Sequence, residues 1–288
     1  MVKKIKPGTG AAAGPLIIIG GHEDKQGDRE ILKEVVRRAD SGTLLVMTLA
    51  SEEAAEQWKE YKRVFHELGA KKVEHFDMER RGEAEMQRSK ELIERASAFF
   101  FTGGDQLRIT SKFGGTDFCV TLRKKHMAGA LVAGTSAGAS VVSETMMVSV
   151  PGDNSHRVGD ALRMAPGLGL LQEIIIDQHF AERGRIGRLI GAVAQNPRLL
   201  GVGIDENTAI VLQDGHFSVI GAGAVYVVDG AKMSYTNVSE TKPEVTLAAH
   251  GLKLDLLSSG DHYDLESRVA SCPAQRRTSA SGSGDGQA

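Results

Sequence analysis

Short apolar runs and longer charged segments alternate along the first half of the chain. In the charged segments, apolar residues recur at helical spacing, as Ile31, Leu32 and Val35 do. The predicted strands cover residues 16–19, 44–49, 72–76, 98–101 and 129–133, and the predicted helices cover 28–39, 52–68 and 83–94. Near-continuous apolar strands separated by helices are typical of a parallel sheet that is covered on both faces.

The second half of the chain begins with the same pattern and then changes its period. Residues 173–177 and 199–204 predict two further buried strands. Beyond them, Gln213-Asp214-Gly215 marks the turn of a hairpin between 209–212 and 217–220. These patterns predict an α/β fold with a doubly wound, mostly parallel sheet and with β-hairpins toward the C-terminus.

Length and composition indicate one large domain. With 288 residues, 41% of them hydrophobic, the chain can bury a sizeable core, and we find no linker long enough to separate two domains. We predict a flexible N-terminus at 1–14, a single α/β domain at 15–272 and a disordered Ser/Gly-rich tail at 273–288.

Charge and cysteine content narrow the functional classes. A formal net charge of −2 gives no reason to expect nucleic acid or an anionic membrane as a partner. The two cysteines, Cys119 and Cys272, make no disulfide framework, so a reducing compartment is the simpler setting. The first apolar stretch, at 16–19, is too short for a signal sequence or a membrane span, which favours a cytoplasmic protein.

The clearest chemical signal is Gly134-Thr135-Ser136-Ala137-Gly138, which follows the apolar run 129–133. A Gly-x-Ser-x-Gly turn between a strand and a helix lifts the serine hydroxyl clear of the sheet, and its glycines leave room for the strained backbone. The start of the following helix offers N–H groups to an oxyanion. We therefore favour Ser136 as a nucleophile over the alternative of a structural turn.

A nucleophilic serine needs a base and a group that orients the base. Among the nine histidines, His179 lies directly beyond a predicted strand, at the same sheet edge as Ser136. Glu206 follows the next strand and is our first candidate for the acid. Three aspartates are alternative acids: Asp153, Asp160 and Asp205. The order serine, histidine, glutamate argues against an ordinary esterase or lipase, in which the acid precedes the histidine.

Four motifs follow one another along the chain at compatible spacing. They are Phe101-Thr102-Gly103-Gly104-Asp105-Gln106, Gly134-Thr135-Ser136-Ala137-Gly138-Ala139, Asp177-Gln178-His179-Phe180 and Gly203-Ile204-Asp205-Glu206-Asn207-Thr208-Ala209. Together they resemble the motifs of the cyanophycinase family of serine peptidases, and the resemblance covers most of the chain. It implies a three-layer fold of the class I glutamine-amidotransferase-like, flavodoxin-like type. The family is related to dipeptidase E.

The resemblance implies a catalytic triad of Ser136, His179 and Glu206, the same trio that position alone favours. Acyl transfer on the serine also needs an oxyanion hole, which we expect at Ala137 and at the Gly103-Gly104-Asp105 turn, through Gly104 or Asp105. No cluster in the sequence has metal-ligand spacing, so we expect neither a metal nor another cofactor.

The resemblance also implies a substrate. The family cleaves cyanophycin, a polyaspartate with an arginine joined through its α-amine to each β-carboxyl, and releases β-Asp-Arg dipeptides. Carboxylates and guanidinium groups on one substrate require fixed cations and acceptors near the nucleophile. The resemblance assigns that task to Gln106, Asp177, Gln178, Arg183, Arg185 and Arg188. For the three arginines, a solvated helix face is the alternative interpretation.

Two other functions stay open at this stage. One is an α-aspartyl dipeptidase like dipeptidase E, although the Arg-rich segment resembles the polymer-degrading branch. The other is a ligand-binding protein without catalysis, although the sequence has no Gly-x-Gly-x-x-Gly fingerprint and no Walker lysine. The resemblance to this family also implies a dimer, so we expect a homodimer.

Overall fold

The structure is a computed structural model that describes residues 13–148, 162–239 and 245–273. In chain order, the elements are β1 (Leu16–Ile19), α1 (Glu30–Ala39), β2 (Thr43–Met47), α2 (Ala54–Glu67), β3 (Lys72–Phe76), a 3-10 helix (Arg81–Glu85), α3 (Gln87–Arg95), β4 (Ala96–Phe101), α4 (Gln106–Phe113), α5 (Asp117–Met127), β5 (Leu131–Thr135), α6 (Ala137–Ser140), β6 (Thr145–Val148), β7 (Arg163–Pro166), β8 (Ile174–Gln178), α7 (Ile186–Gln195), β9 (Leu200–Ile204), β10 (Thr208–Gln213), β11 (His216–Gly221), β12 (Val225–Asp229), β13 (Tyr235–Thr236), β14 (Ala249–His250), β15 (Lys253–Leu257), β16 (His262–Asp264) and β17 (Val269–Ser271).

Five neighbouring strands of the largest sheet run parallel. The strand order is β17-β16-β11-β10-β1-β5-β4-β2-β3. Strands β1, β5, β4, β2 and β3 are parallel to one another. Strand β10 joins β1 in the antiparallel direction, and β11, β16 and β17 continue antiparallel. The carboxyl ends of the five parallel strands therefore meet at one edge of the sheet, where ligands collect in such folds.

The central strands bury side chains on both faces of this sheet. In β1, Ile17 belongs to a cluster with Val35 of α1 and Phe65 of α2. Its neighbour Ile18 belongs to a second cluster that includes Phe113 of α4. Successive side chains of a strand point to opposite faces, so burial on both sides explains why these strands are apolar runs without alternation.

The later strands β8 and β9 lie in a separate sheet, whereas the sequence pattern predicts a single mostly parallel one. This second sheet has the order β15-β12-β9-β8, with β8 and β9 parallel to each other. One face joins the main core through Ile176, and the other packs on α7 through Ile175 and Leu189. Helix α7 packs so closely on β9 that a Cβ on Gly201 would lie 2.9 Å from Leu189 Cδ1.

Smaller differences concern a helix and the chain ends. The predicted helix at 83–94 is divided, because Met86 is extended (φ −66°, ψ 136°) between the 3-10 helix and α3. Residues 1–12 and 274–288 lie outside the described part, but Gly14 is buried and its N–H donates to the His126 carbonyl oxygen at 2.7 Å. Gly14 thus belongs to the folded domain. Among the described residues, no helix combines the length and the apolar character needed to cross a bilayer.

Candidate active site

Ser136 stands at a sharp turn between β5 and the short helix α6. Its φ of 53° and ψ of −110° are rare for a residue other than glycine. The flanking glycines permit the turn: a Cβ on Gly134 would lie 2.2 Å from the Gly138 carbonyl oxygen, and one on Gly138 would lie 2.3 Å from that of Phe101. The strand, turn and helix that the Gly-x-Ser-x-Gly motif requires are all present.

Ser136, His179 and Glu206 form one hydrogen-bonded chain. Ser136 Oγ lies 2.9 Å from His179 Nε2, and His179 Nδ1 lies 2.6 Å from Glu206 Oε1. The His179 side chain is 4% exposed and that of Glu206 is 29% exposed. In this arrangement an imidazole can accept a serine proton at one nitrogen while a carboxylate holds the proton on the other.

Asp205, an alternative acid in the sequence, has other partners. Its Oδ1 accepts from the N–H of Ala181 at 2.9 Å and its Oδ2 accepts from the N–H of Ala224 at 3.1 Å. It therefore fixes the loop that follows His179. The two remaining alternatives, Asp153 and Asp160, lie outside the described residues.

Burial lowers the pKa of His179 below the ordinary value for histidine, and the positive charge of Arg183 adds to this lowering. The hydrogen bond and the charge of Glu206 act in the opposite direction and raise the pKa of His179. The net lowering keeps the imidazole neutral near pH 7, which is the form that can accept a proton.

One segment, residues 19–24 at the end of β1 and the start of the β1–α1 loop, contacts every part of the hydrogen-bonded triad. The carbonyl oxygens of residues 19–21 accept, in order, from the N–H groups of Ser136, His179 and Asn207 at 3.1, 2.8 and 2.8 Å. Asn207 directly follows the glutamate of the triad. The loop therefore joins the nucleophile strand to the two segments that follow β8 and β9 in the other sheet.

Gly21 of this loop lies against the imidazole. It has a φ of 106°, and a Cβ there would lie 2.3 Å from His179 Cε1 and 2.5 Å from Nε2. Only glycine meets both conditions, because any side chain would displace the ring or strain the backbone.

Glu23 is a buried carboxylate beside the nucleophile that our sequence analysis did not single out. It is 4% exposed, accepts from Thr135 Oγ1 at 2.5 Å and also accepts from the Tyr61 hydroxyl. Because Thr135 precedes Ser136, these bonds tie the nucleophile turn to helix α2. The position of Glu23 after a glycine turn at a strand end is a signal that could have identified it, whereas Tyr61 lies within a helix and gives none.

Three N–H groups close to Ser136 have no acceptor among the residues that the structure describes. They belong to Ala137, next to the nucleophile, and to Gly103 and Gly104 in the turn after β4. The adjacent Gly103 brings that turn against the serine, since a Cβ on Gly103 would lie 3.4 Å from Ser136 Cβ. Free donors on two sides of a serine hydroxyl are what an oxyanion hole requires.

Asp105 is the part of the predicted hole that needs correction. Its N–H donates to the Ala50 carbonyl oxygen at 3.0 Å, so it is not available to an oxyanion. Its carboxylate caps helix α4, with Oδ1 accepting from the N–H of Leu107 at 2.8 Å. Within this turn, the available donors are therefore the N–H groups of Gly103 and Gly104 and not that of Asp105.

Four of the six predicted substrate residues hold one another at the end of β8. Asp177 accepts from Arg188 Nε at 2.7 Å, from Arg188 Nη2, and from Arg185 Nη1 at 3.3 Å. Arg185 Nη1 also donates to the Gln178 carbonyl oxygen. Asp177 is 1% exposed and both arginines are 6% exposed. Asp177 could therefore bind a substrate guanidinium only by exchanging the partners that it has.

The remaining polar groups of the six lie in different surroundings. Gln106 is buried and its Nε2 donates to the Met147 carbonyl oxygen at 3.1 Å. The side-chain oxygen of Gln178 is buried and has no hydrogen-bond partner in the described part of the chain. Arg183 is exposed, and its charge contributes to lowering the pKa of His179. Within this set, the Gln178 side-chain oxygen is thus buried and unpartnered among the described residues, and the Arg183 guanidinium is exposed and acts on the imidazole through its charge.

We predict that Asp177→Asn destabilises the fold by about 3 kcal/mol or more, because it removes the buried carboxylate that both arginines face. Urea unfolding of the variant and the parent would measure the loss. Glu52→Gln is the matched control, since the Glu52 side chain is 79% exposed where it pairs with Arg108 and should matter by no more than about 1 kcal/mol. Equal stabilities of Asp177→Asn and the parent would contradict a structural role.

A cavity of about 540 Å³ opens beside Ser136 and His179. Its further lining residues are His22, Glu23, Asp24, Lys25, Gln26, Gln57, Glu60, Tyr61, Gly103, Gly104 and Thr135. The six predicted substrate residues are not among them. Lys25 Nζ lies 2.7 Å from Glu60 Oε2 and 4.4 Å from the centre of the Tyr61 ring, so this cavity already contains one paired cation.

Comparisons with known proteins agree with a peptidase site. The family model for peptidase family S51 matches residues 16–220 of this chain. The cyanophycinase of Nostoc sp. strain PCC 7120 is 40% identical over 270 residues, covering 92% of this chain and 90% of that protein. The cyanophycinase of Geminocystis herdmanii is 38% identical over 254 residues, covering 86% of this chain and 93% of that protein.

A solved structure shares the fold. The crystal structure of a peptidase from an acI-B1 actinobacterium has a TM-score of 0.62 at 22% sequence identity, and the match covers 84% of this chain and 97% of that one. The family match extends over most of the chain and includes the segments that carry Ser136, His179 and Glu206. The chain belongs to peptidase family S51 and is a peptidase.

Proposed function

We propose that this S51 peptidase is a serine-type exopeptidase that hydrolyses cyanophycin to β-Asp-Arg dipeptides through an acyl-enzyme on Ser136. The observation that carries this proposal is the hydrogen-bonded chain from Ser136 through His179 to Glu206. The substrate is that implied by the names of the relatives, cyanophycinases at 36–40% identity.

In the first step, Ser136 Oγ attacks the carbonyl carbon of a backbone peptide bond, and its proton passes to His179 Nε2. The 2.9 Å separation of the two atoms supports direct transfer. Glu206 keeps the other ring proton on Nδ1 and stabilises the imidazolium that forms. The negative charge on the carbonyl oxygen is stabilised by the N–H groups of Ala137 and Gly104.

His179 then gives its proton to the leaving amine, which departs and leaves an ester on Ser136. A water molecule attacks this ester while His179 again acts as the base, and the second product leaves with the serine hydroxyl restored. These steps use the side chains of the triad and the backbone N–H groups beside Ser136.

Arg183 is our candidate for direct contact with a substrate carboxylate. It is exposed and near His179, and a guanidinium can bind a carboxylate through two parallel hydrogen bonds. The buried, unpartnered oxygen of Gln178 is our candidate acceptor for a guanidinium, and the side chains that cover it have to move to admit the substrate. Asp177, Arg185 and Arg188 then act mainly by fixing the end of β8, which carries the base.

Further properties follow from the same assignment. The burial of side chains on both faces of the large sheet supports a three-layer arrangement of the class I glutamine-amidotransferase-like type, with the β10–β11 and β16–β17 pairs as C-terminal hairpins. We further propose a cytoplasmic homodimer, because Cys119 and Cys272 are free, as in a reducing compartment, and the resemblance to this family implies a dimer.

The test is to compare cyanophycin with two substrates that lack its branched unit. We expect release of β-Asp-Arg from cyanophycin, identified by mass, and little action on casein or unsubstituted polyaspartate. A site that leaves polar groups unpaired on the wrong substrate can discriminate by about 10⁴-fold. Arg183→Ala should reduce the ratio of the cleavage rate on cyanophycin to that on casein, and a small reagent should still label Ser136 in this variant.

Two outcomes would contradict the assignment in different ways. Comparable rates on casein and cyanophycin would refute the proposed substrate specificity but not the proposed triad. Rapid cleavage of α-aspartyl dipeptides together with inert cyanophycin would support the dipeptidase alternative.

A further inference from the structure

His22, His179 and Glu206 form a compact group of nitrogen and oxygen ligands at the edge of the triad. One ligand atom from each lies within 4.8 Å of the other two. His22 Nδ1 is 3.7 Å from Glu206 Oε2, the carboxylate oxygen that does not face His179. The two imidazole rings meet edge to face with their centres 5.2 Å apart. The residues are far apart in the sequence, so no spacing predicts them as a group.

The backbone around His22 holds it at this position. His22 has a φ of 48°, a left-handed conformation. On either side of it, the Gly21 carbonyl oxygen accepts from the N–H of Asn207 at 2.8 Å, and the N–H of Asp24 donates to Asn207 Oδ1 at 2.9 Å. The imidazole itself is 72% exposed, so its ring can turn while its Cα stays fixed.

Two histidines and one glutamate are the ligand set of mononuclear zinc sites that keep a fourth position open. With bonds of about 2.0–2.2 Å, tetrahedral ligands lie roughly 3.3–3.6 Å apart. To admit the metal, the 2.6 Å between His179 Nδ1 and Glu206 Oε1 must widen, which the partly exposed Glu206 side chain allows. The 3.7 Å between His22 Nδ1 and Glu206 Oε2 must contract slightly. The exposed ring of His22 can supply that movement.

We propose that His22, His179 and Glu206 bind a divalent transition metal, with Zn²⁺ the best fit, and that this binding reversibly switches off the peptidase. The inference goes beyond the proposed function, because it concerns a ligand that is neither substrate nor cofactor of the reaction. The metal is held through the exposed His22 ring, the Nδ1 atom of His179 and an oxygen of Glu206.

Inhibition follows from the position of one proton. In the triad, His179 carries its proton on Nδ1 and accepts from Ser136 at Nε2. A metal on Nδ1 takes the lone pair of that atom, so the ring proton moves to Nε2 and none is lost from the ring. The serine then has no base, and Glu206 has exchanged its bond to the imidazole for a bond to the metal.

The site can be tested by binding that does not depend on turnover. In Ser136→Ala, Co²⁺ should give the visible absorption of a four-coordinate site, and His22→Asn should abolish this absorption. Asparagine suits the left-handed backbone at 22 but is a poor ligand for these metals. Both proteins should also carry Cys272→Ser, because the Cys272 thiol is exposed and thiolates in general bind zinc and cobalt.

Activity provides the second measurement. In the Cys272→Ser protein, Zn²⁺ should block labelling of Ser136 by a fluorophosphonate, and a chelator should restore it. His22→Asn should raise the zinc concentration for half inhibition at least ~10-fold, because even the loss of a group that only hydrogen-bonds to a metal ligand weakens metal binding by that factor. His216→Asn, at an exposed histidine on β11, should leave it unchanged. Equal inhibition of the His22→Asn protein and its parent, or Co²⁺ absorption that persists in His22→Asn, would overturn the proposal.

Discussion

Ser136→Ala should reduce peptide hydrolysis by at least ~10³-fold, the usual scale for losing a nucleophile that acts as a unit with its partners. The variant should stay folded, because alanine accepts the same backbone conformation as serine and loses only the hydroxyl that faces His179. Product release from cyanophycin would measure activity, and the midpoint of urea unfolding would measure the fold.

Cys119→Ser is a useful comparison for this variant, because it also changes one small buried side chain but lies in α5, away from the triad. It should retain turnover whatever it does to stability. A folded Ser136→Ala protein with turnover near that of the parent would exclude the acyl-enzyme mechanism.

Glu206→Gln should produce the second large loss, of about 10³–10⁴-fold in kcat with little change in substrate affinity. The amide keeps the shape of the carboxylate but not the charge that stabilises the imidazolium and holds the tautomer. The pH profile should move as well. Since the negative charge of Glu206 raises the pKa of His179, its removal lowers that pKa further.

The sign of this pH effect follows from the role of His179 as a base. The neutral imidazole is the active form, so activity falls as pH drops through the pKa of His179. In the parent, burial lowers the pKa of His179, and the acid limb of kcat/KM should lie below the ordinary value of about 6.5. In Glu206→Gln the acid limb should lie at a still lower pH. The maximal activity of the variant, at the plateau of its pH profile, should be much lower than that of the parent.

Substitution of the alternative acids provides the contrast. Asp153→Asn and Asp160→Asn should have mild effects on kcat. If either abolished turnover while Glu206→Gln remained active, the orienting acid would lie between the serine and the histidine in the sequence.

Much of the first half of the fold could be predicted from the sequence, because each strand there is a short apolar run with helix-periodic segments around it. The strands at 16–19 and 72–76 have the predicted bounds. The division into two sheets could not be predicted, since β8 and β9 are apolar runs like the others. Their separation depends on α7, which packs closely over Gly201, and on Phe180 after β8, which packs closely over Gly203.

The candidate site divides in the same way. Ser136, His179 and Glu206 each follow a strand, and strand ends are visible in the sequence. The partners of Asp177 were not visible, because a sequence does not reveal whether Arg185 and Arg188 face solvent, substrate or a buried carboxylate. The structure gives them the buried carboxylate. The same holds for Glu23, whose hydrogen bonds depend on how α2 packs against the nucleophile strand.

The most direct test of the central claim is to label the protein with a fluorophosphonate and to map the modified residue by mass. We predict one label per chain, on Ser136, and a rate of labelling that falls sharply in His179→Ala, because the serine then lacks its base. A label on another residue, or an unlabelled Ser136 in protein that still cleaves its substrate, would contradict the account.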